Sequence, residues 1–369
     1  MTILVEGAFS STVWCHRILA GLKSEARKKR INLNITHDPI SAIESADMEQ
    51  IIIVGADGDF LQNAVKLACE YKIHPIILGN QPKDLFYGGV SAVSADLGGS
   101  MRAVCSYLES RERKNTALFA INPDSLSDTC RKKAFLESGG DESDVFENRG
   151  SLAECFGQFH EKHRERKYNG IVCANDFAAV SLIKHSKETG IDISDAFIIS
   201  YSDTMISRCF SPSITSVTMN YESFGQLAFM ISDCLAKSDS LRGIQMQTTW
   251  QIIHRQTTDT LPYTSPTAAD EFKEQSHNNS FYSDPELIDM MRLENLLTGA
   301  DETDLLILSM IMDGKKTEEI EEACFLAETA VKYRVRKMKE CCHVSTKNDL
   351  GVLISKYIPD KNAFLKINS

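Results

Sequence analysis

Small polar residues recur directly after apolar segments in the first two thirds of the sequence. In chain order they are Ser10, Ser11 and Thr12; Gly55, Ala56 and Asp57; Gly79, Asn80 and Gln81; Asn122; Asn175 and Asp176; and Tyr201, Ser202 and Asp203. Hydroxyl, amide and carboxylate groups of this kind can bind the polar groups of a small molecule. Any single group is better explained as the cap of a following helix, whereas the whole set favours a binding pocket.

A second concentration of reactive side chains lies near the end of the chain, in TAVKYRVRKMK. Its basic residues are Lys332, Arg334, Arg336, Lys337 and Lys339, in a chain whose formal net charge is -11. Ammonium and guanidinium groups displace counterions from phosphates, and arginine can bind guanine edges. The segment therefore predicts contact with nucleic acid; the alternative is a charged helix face that is simply solvated.

Other chemistry finds less support in the sequence. His160 and His163 are spaced to share a metal ion, but the charged residues around them favour a solvent-exposed helix. The sequence Cys341-Cys342-His343 lacks a second ligand pair, and the eleven cysteines include no CxxC motif. No phosphate-binding glycine-rich loop, nucleophile elbow or carboxylate pair stands out. We therefore expect no metal, no cofactor and no enzymatic activity.

The elements that must position the polar groups follow a regular alternation. From Met1 to about Arg255, short apolar segments alternate with longer amphipathic ones, which predicts repeated βα units and parallel sheets. The predicted strands are Ile3–Phe9, Ile31–Thr36, Ile51–Val54, Pro75–Leu78, Gly89–Val93, Thr116–Ile121, Gly170–Cys173, Phe197–Ser200 and Ile214–Thr218. The polar groups would then lie at the carboxyl ends of strands, where open α/β sheets bind ligands.

Composition limits the class of protein. The chain has 369 residues, of which 43% are hydrophobic and 25% charged, as in a soluble globular protein of two or three domains. Its first residues do not form a signal peptide, and no apolar run approaches the ~20 residues of a membrane span. We expect a cytoplasmic protein with no membrane partner.

Three segments resemble one family of regulators. IVCANDFAAV (Ile171–Val180), the stretch from Phe197 to Gln226, and SADLGGSMRAVCSYL (Ser94–Leu108) are similar to the effector domains of lactose-repressor (LacI/GalR) regulators. The resemblance implies an α/β, two-lobed, type I periplasmic-binding-protein-like sensor over residues 1–258, with three chain crossings, a small sugar-like effector and a homodimer. Lobe 1 would span about 1–114 and 220–247, and lobe 2 about 115–219 and 248–258.

The same resemblance implies ligand-binding residues. Arg131 corresponds to the arginine that holds ligand hydroxyls or a carboxylate, and Asn175 and Asp203 correspond to the pocket asparagine and aspartate. The full set of candidate ligand-binding residues is Ser11, Trp14, Asp57, Asn122, Arg131, Asn175 and Asp203. Trp14 would either stack on a sugar ring or belong to the core. Because Met219 replaces a polar residue of the family, a nucleoside, an amino acid or a sugar derivative stays open as the ligand.

The last hundred residues follow a different pattern. Residues 259–283 are rich in Thr, Ser, Pro and Asn and predict a linker, whereas residues 284–369 predict a small all-α domain. Its helices are expected at Asp284–Leu297, at Glu302–Asp313, after a Thr317 cap, and at about Glu328–Cys342. In the last of these, Val331, Val335, Met338 and Cys342 form an apolar stripe beside the basic residues, which predicts a helix-turn-helix.

The segment from about Asp301 to Gly351 also resembles the LuxR/GerE-type DNA-binding domain, through Gly314, Glu319-Ile320 and Ala330-Val331-Lys332. The first strand starts at Ile3, so the headpiece with which the lactose-repressor family normally begins is not expected, and this C-terminal module would bind DNA instead. The candidate DNA-binding residues are Thr329, Lys332, Tyr333, Arg334, Arg336, Lys337 and Lys339. Ala327 replaces the usual serine cap of the recognition helix.

Together the two resemblances predict a ligand-responsive transcriptional regulator that binds double-stranded DNA as a homodimer. The alternative is a small-molecule sensor whose C-terminal helices bind a protein partner. Four glutamates in the helix before the basic one, Glu318, Glu319, Glu321 and Glu322, favour that alternative because they would repel phosphate.

Overall fold

The computed structural model describes residues 1–46, 49–79, 89–238, 240–241, 243–258, 284–360 and 363–364. Asn80, Gln81 and the predicted linker at 259–283 lie outside these ranges. Within them the chain forms two six-stranded sheets and a set of helices. The predicted α/β class with parallel sheets, followed by C-terminal helices, is confirmed.

The strands are short and mostly buried. They are β1 (Thr2–Val5), β2 (Asn34–Thr36), β3 (Gln50–Val54), β4 (His74–Leu78), β5 (Ser91–Ala95), β6 (Thr116–Ile121), β7 (Val145–Glu147), β8 (Gly170–Cys173), β9 (Phe197–Tyr201), β10 (Thr215–Met219), β11 (Gln245–Thr248) and β12 (Trp250–Ile253). The first sheet has the order β11-β5-β4-β3-β1-β2, and the second has the order β12-β10-β9-β8-β6-β7. Parallel pairing joins β1 to β3 in register Ile3 to Ile52, and β8 to β9 in register Ile171 to Ile198.

Helices connect these strands, and further helices follow the last strand. They are α1 (Val13–Lys29), α2 (Pro39–Glu44), α3 (Gly58–Glu70), α4 (Leu97–Ser110), α5 (Leu126–Glu137), α6 (Leu152–Arg166), α7 (Asp176–Thr189), α8 (Met205–Cys209), α9 (Ser223–Lys237), α10 (Pro285–Thr298), α11 (Glu302–Met312), α12 (Thr317–Cys324), α13 (Glu328–Cys342) and α14 (Lys347–Tyr357).

Two compact units can be distinguished by their internal contacts. The first unit comprises Met1–Tyr107, Ile121–Glu142 and Thr218–Gln251. The second unit comprises Leu108–Ala120, Ser143–Val217 and Ile252–Ser369, so it includes the C-terminal helices. The lobe boundaries expected from the sequence stay predictions.

Central strands were predicted more accurately than edge strands. β6 and β8 have the predicted bounds, because a strand covered on both faces is a continuous apolar segment. The sequence did not predict β7, β11 and β12, which all lie at the edge of a sheet. An edge strand needs less apolar surface, and in Gln245–Thr248 two exposed residues alternate with one half-buried and one buried residue. β1 is shorter than expected because the chain turns after Glu6, where the Ser10 N–H donates to the Glu6 carbonyl.

The C-terminal segment consists of helices near the predicted positions, whereas its assignment as a helix-turn-helix stays a prediction. Gly314, with φ of 68°, follows α11, and Phe325, with φ of 53°, separates α12 from α13. Val331, Met338 and Cys342 of the apolar stripe are buried, and Val335 is half-buried. The expected cap at Thr317 is wrong, because Thr317 is already helical and the Glu319 carboxylate accepts from the Lys316 N–H at 2.8 Å.

In the first unit, α1 and α9 approach each other through glycine. A Cβ atom on Gly225 would lie 2.2 Å from the Gly21 carbonyl carbon, and one on Gly21 would lie 2.1 Å from the Glu222 carbonyl oxygen. Neither neighbour is a flexible side chain, so the helices would have to separate. Close backbone contact therefore fixes the distance between α1 and α9.

We expect Gly225→Ala to destabilise the first unit by about 3 kcal/mol, the cost of overpacking a close-packed interior. Urea unfolding followed by circular dichroism would measure the change. Gly7→Ala is the control, since a Cβ at Gly7 meets no atom within 4 Å. Equal unfolding midpoints for the two variants would contradict the close approach.

Candidate functional site

In the first unit, the loop after β3 is held by a buried carboxylate. Glu6 Oε2 accepts from the Ala56 N–H at 2.8 Å and from the Asp57 N–H at 3.1 Å. Asp57 is half-buried and caps α3, since its Oδ1 accepts from the Phe60 N–H at 2.7 Å. Asp57 therefore caps a helix, which is the role that the sequence offered as the alternative to ligand binding. Glu6 binds the backbone of Asp57 and so fixes where the Asp57 side chain lies.

A β-bridge joins this loop to the segment that precedes α5. Asp57 and Ser125 are antiparallel bridge partners, so Asp57 lies near the stretch from Asn122 to Arg131. Asn122 and Arg131 are buried, and both bind Asp128: its Oδ2 accepts from the Asn122 N–H at 2.8 Å, and its Oδ1 accepts from the Arg131 guanidinium. Asp128 thus offsets the Arg131 charge, as burial of a guanidinium requires.

The two remaining candidates of the first unit lie at the start of α1. Ser11 is exposed, and Trp14 is half-buried in the first turn of the helix. The helix is capped by neither of them but by Thr12, whose Oγ1 accepts from the Cys15 N–H at 3.2 Å. Trp14 is therefore not a fully buried core residue.

In the second unit, Asn175 and Asp203 follow adjacent strands. Asn175 is buried and caps α7, with its Oδ1 accepting from the Ala178 N–H at 3.0 Å. The next residue, Asp176, is fully buried and accepts from the Ser200 and Ser216 hydroxyls and from both the N–H and the hydroxyl of Thr204. Asp176 therefore joins the carboxyl ends of β8 and β9 to Ser216, near the amino end of β10.

Asp203 occupies an unusual backbone conformation. Ser202 and Asp203 have φ of 111° and 52°, a region that residues other than Gly, Asn and Asp rarely adopt. The Asp203 carboxylate accepts from the guanidinium groups of Arg208 and Arg255. Burial opposes ionisation of Asp203, but the hydrogen bonds and charges of the two arginines outweigh it and lower the pKa. Asp203 is therefore a carboxylate in the folded protein.

Sequence reasoning missed the partners of the predicted residues. Glu6, Asp128, Arg208 and Arg255 were not candidates, although each binds a candidate residue or its loop. Arg255 lies far from Asp203 in sequence and follows β12, which the sequence did not predict. The sequence did indicate Asp176, because it belongs to the same Asn-Asp pair as Asn175.

The basic side chains of α13 divide into two kinds. Lys332, Tyr333 and Arg336 are exposed, as are Thr329 and Lys337. Lys332 Nζ lies 2.5 Å from Glu328, and Arg336 Nε lies 3.6 Å from Glu340, within the same helix. Exposed pairs of this kind are screened by solvent and contribute little to stability, so they can be exchanged for phosphate contacts. Lys339 is half-buried and donates to the Ser345 carbonyl at 3.0 Å.

Arg334 differs from these side chains because its ion pairs are with residues outside α13. Its Nη1 lies 2.8 Å from Asp301 Oδ2 and 2.6 Å from Asp304 Oδ1, both at the start of α11. The structure thus places this guanidinium on two carboxylates of its own chain. The expected role of Arg334 near bases stays a prediction, and it would require these ion pairs to break.

Of the two histidines in α6, His160 is half-buried, and His163 does not lie on a solvated face as expected. His163 is buried, stacks on Phe159 with ring centroids 5.2 Å apart, and lies 3.3 Å from the Asp192 carbonyl through Nε2. Burial lowers its pKa. The charge run misled the prediction because the inner face of the helix carries aromatic residues between the charges. Across the described ranges, no three His, Cys, Asp or Glu side chains are grouped as metal ligands.

Comparisons with known proteins agree with this architecture. Residues 107–258 match the model of the periplasmic binding protein-like domain. No curated protein matches the sequence. Among the described helices, none is long and apolar enough to cross a membrane.

Similar solved structures come from transcription regulators. The CelR–cellobiose complex is 14% identical with a TM-score of 0.58, over 69% of this chain and 83% of that one. CcpA of Lactococcus lactis is 20% identical with a TM-score of 0.58, over 70% and 99%. A LacI family regulator from Enterococcus faecalis V583 with bound ribose is 17% identical with a TM-score of 0.59, over 71% and 100%. At these identities the similarity shows the fold: two parallel-sheet α/β lobes of the type I periplasmic-binding-protein kind.

The paired arginines at Asp203 predict a pH-dependent stability. Because the folded pKa of Asp203 is lowered, its contribution is present above the unfolded pKa of about 3.9 and is lost as the pH falls through the folded value. We expect Asp203→Asn to cost about 3 kcal/mol at pH 7 and less below pH 4. Urea unfolding at both pH values checks this, with Asp195→Asn, at an exposed turn, as the control. A penalty that does not change with pH would contradict the ion pairing.

Proposed function

We propose that this protein is a ligand-responsive transcriptional regulator of the cytoplasm that acts as a homodimer. A sugar or sugar-like effector binds at the strand-end residues of the α/β lobes, and double-stranded DNA binds to α13. The observation that carries the proposal is α13 itself: a helix with Val331 and Met338 buried and Lys332 and Arg336 exposed, which follows α12 after a short turn. Such a helix fits the major groove.

A hydroxyl-rich effector suits the charge balance of the candidate residues. The Arg131 charge is offset by Asp128, and the Asp203 charge is offset by Arg208 and Arg255. A neutral ligand with several hydroxyl groups can bind paired charges without leaving any of them unpaired. The solved relatives with cellobiose and ribose support this class of ligand.

The second candidate function is a sensor whose C-terminal helices bind a protein partner. Glu318 and Glu322 on α12 are exposed, which favours a basic protein surface over phosphate. The two functions differ in salt dependence, since contacts to B-DNA phosphates give a slope of about -0.9 per neutralised phosphate in a plot of log affinity against log salt.

For DNA binding, we expect the full-length protein to select duplexes from a random pool, and we expect Lys332→Gln and Arg336→Gln each to weaken binding to a selected duplex about tenfold. Each should also reduce the salt slope by about 0.9 if one phosphate contact is lost. Fluorescence polarisation over a range of salt concentrations measures both quantities. Lys66→Gln, which removes an exposed charge in the first unit, is the control. Failure to retain any duplex would exclude the proposed DNA binding.

For the effector, thermal-shift screening of sugars, nucleosides and amino acids should give a sugar or a sugar derivative as the strongest hit. Asn175→Ser should weaken that hit about tenfold, because serine keeps the helix cap and loses the amide that both donates and accepts. Isothermal titration calorimetry measures the affinity. Asn34→Ser, at an exposed strand residue, should have no effect. Equal affinities for the two variants would remove Asn175 from the site.

A further inference from the structure

Helix α10 packs against the α/β part of the second unit through acidic side chains. Asp284 is buried and caps α10, where its Oδ1 accepts from the Glu286 N–H at 2.9 Å. Its Oδ2 accepts from the Leu152 N–H, at the first residue of α6, at 2.7 Å. The C-terminal helices are thus tied to the sensor at the start of α10.

Glu286 makes the second contact. Its carboxylate binds the Ser181 hydroxyl at 3.0 Å, Lys184 Nζ at 3.2 Å and His185 Nε2 at 3.2 Å, all on α7. Burial opposes ionisation of Glu286, but the His185 hydrogen bond and the charges of Lys184 and His185 outweigh it and lower the pKa to about 2. Glu286 therefore anchors α10 to α7.

Glu294 makes the third contact, and its partners are of another kind. It is fully buried, and its two oxygens accept from the Met205 and Ile206 N–H groups at 3.0 Å each. These N–H groups belong to the first turn of α8, where a helix leaves its donors without partners. A side chain from the C-terminal helices thus completes the N-terminal turn of a sensor helix.

The α8 turn is also part of the Asp203 loop. Thr204, which caps α8, donates both its N–H and its hydroxyl to Asp176. Arg208, within α8, pairs with Asp203. The segment from Asp203 to Arg208 therefore lies between two buried carboxylates, Asp176 of the sensor and Glu294 of α10.

On the C-terminal side, α10 contacts the basic helix. The Cys342 thiol of α13 lies 3.9 Å from the Arg292 carbonyl of α10. Asn295 and Leu296 of α10 line one cavity of about 440 Å³ together with Tyr333 and Met338 of α13. One helix thus touches both the Asp203 loop and the helix that carries the candidate DNA-binding residues.

We propose that Glu294 is the positioning residue that couples the Asp203 loop to α13, so that a change at either one alters the other. This inference rests on the proposed function in assigning Asp203 to the effector and α13 to DNA. A buried carboxylate that loses its donors is costly, by about 1–3 kcal/mol or more per group. The α8 turn therefore cannot shift alone: α10 must follow it, and α10 carries α13. Coupling of this kind is reciprocal.

Hydrogen exchange of the full-length chain tests this coupling without effector or DNA. Glu294→Gln keeps the size of the side chain but places an NH₂ group against one of two backbone N–H groups. We expect exchange at Met205 and Ile206 to become about tenfold faster, as the loss of one hydrogen bond to a charged group implies. Glu286→Gln is the matched control, since it removes the same charge from α10 at a contact with α7 and should leave the α8 amides unchanged.

Transmission is tested by a second substitution. Asp203→Asn in the otherwise native chain should speed exchange across Val331–Cys342 about threefold or more, the size expected for coupled residues. The α13 response should disappear in the Glu294→Gln background and persist in the Glu286→Gln background. The proposal is overturned if Asp203→Asn does not change hydrogen exchange in α13, or if the change is equal in all backgrounds.

A variant on the loop side guards against misfolding of Glu294→Gln. Met205→Pro removes one N–H donor while placing proline at the first helical position, where it is tolerated. It should also abolish the α13 response, and circular dichroism establishes that each variant is folded. The measurement contains no DNA, so its outcome is independent of DNA binding. A chain that fails to bind DNA can still show the coupling, and a chain that binds DNA can still lack it.

Discussion

Buried carboxylates that accept several hydrogen bonds are the interactions on which the loops with the candidate ligand-binding residues depend. A carboxylate removed from water is stable only when donors replace its hydration, so each of these groups fixes the segments that supply its donors. Glu6 joins β1 to the Asp57 loop, and Asp176 joins the carboxyl ends of β8 and β9 to Ser216 of β10. The strained conformation of Asp203 persists because Asp176 and the two arginines hold the chain on either side of it.

Buried carboxylates of the same kind also hold the C-terminal helices, and they make these helices part of the second unit. A helix-turn-helix on a flexible tether would respond to an effector only through the distance between two modules. Here Asp284, Glu286 and Glu294 contact α6, α7 and α8, so α10 is part of the second unit. Glu294 therefore joins the first turn of α8 directly to α10.

How much the sequence could predict depends on the range of the interactions involved. The bounds of α13, β6 and β8 follow from local periodicity, and these predictions agree with the structure. The edge strands β7, β11 and β12 lack that signal. The partners of the site residues are non-local: nothing near Asp203 in the sequence indicates that Arg255 pairs with it, and nothing near Met205 indicates Glu294. Sequence reasoning thus located the loops, whereas the charges that hold them required the folded chain.

The same distinction explains the charge on α13. Periodicity places Arg334 near the basic face, but only the tertiary structure shows that Asp301 and Asp304 reach it from α11. A doubly paired, half-buried guanidinium holds α13 against α11. Lys332 and Arg336 instead pair with exposed glutamates on their own helix, and such pairs are weak enough to be replaced by phosphates. The basic cluster therefore contains both cations that hold α13 against α11 and exposed cations, so a local positive surface is present in a chain of negative net charge.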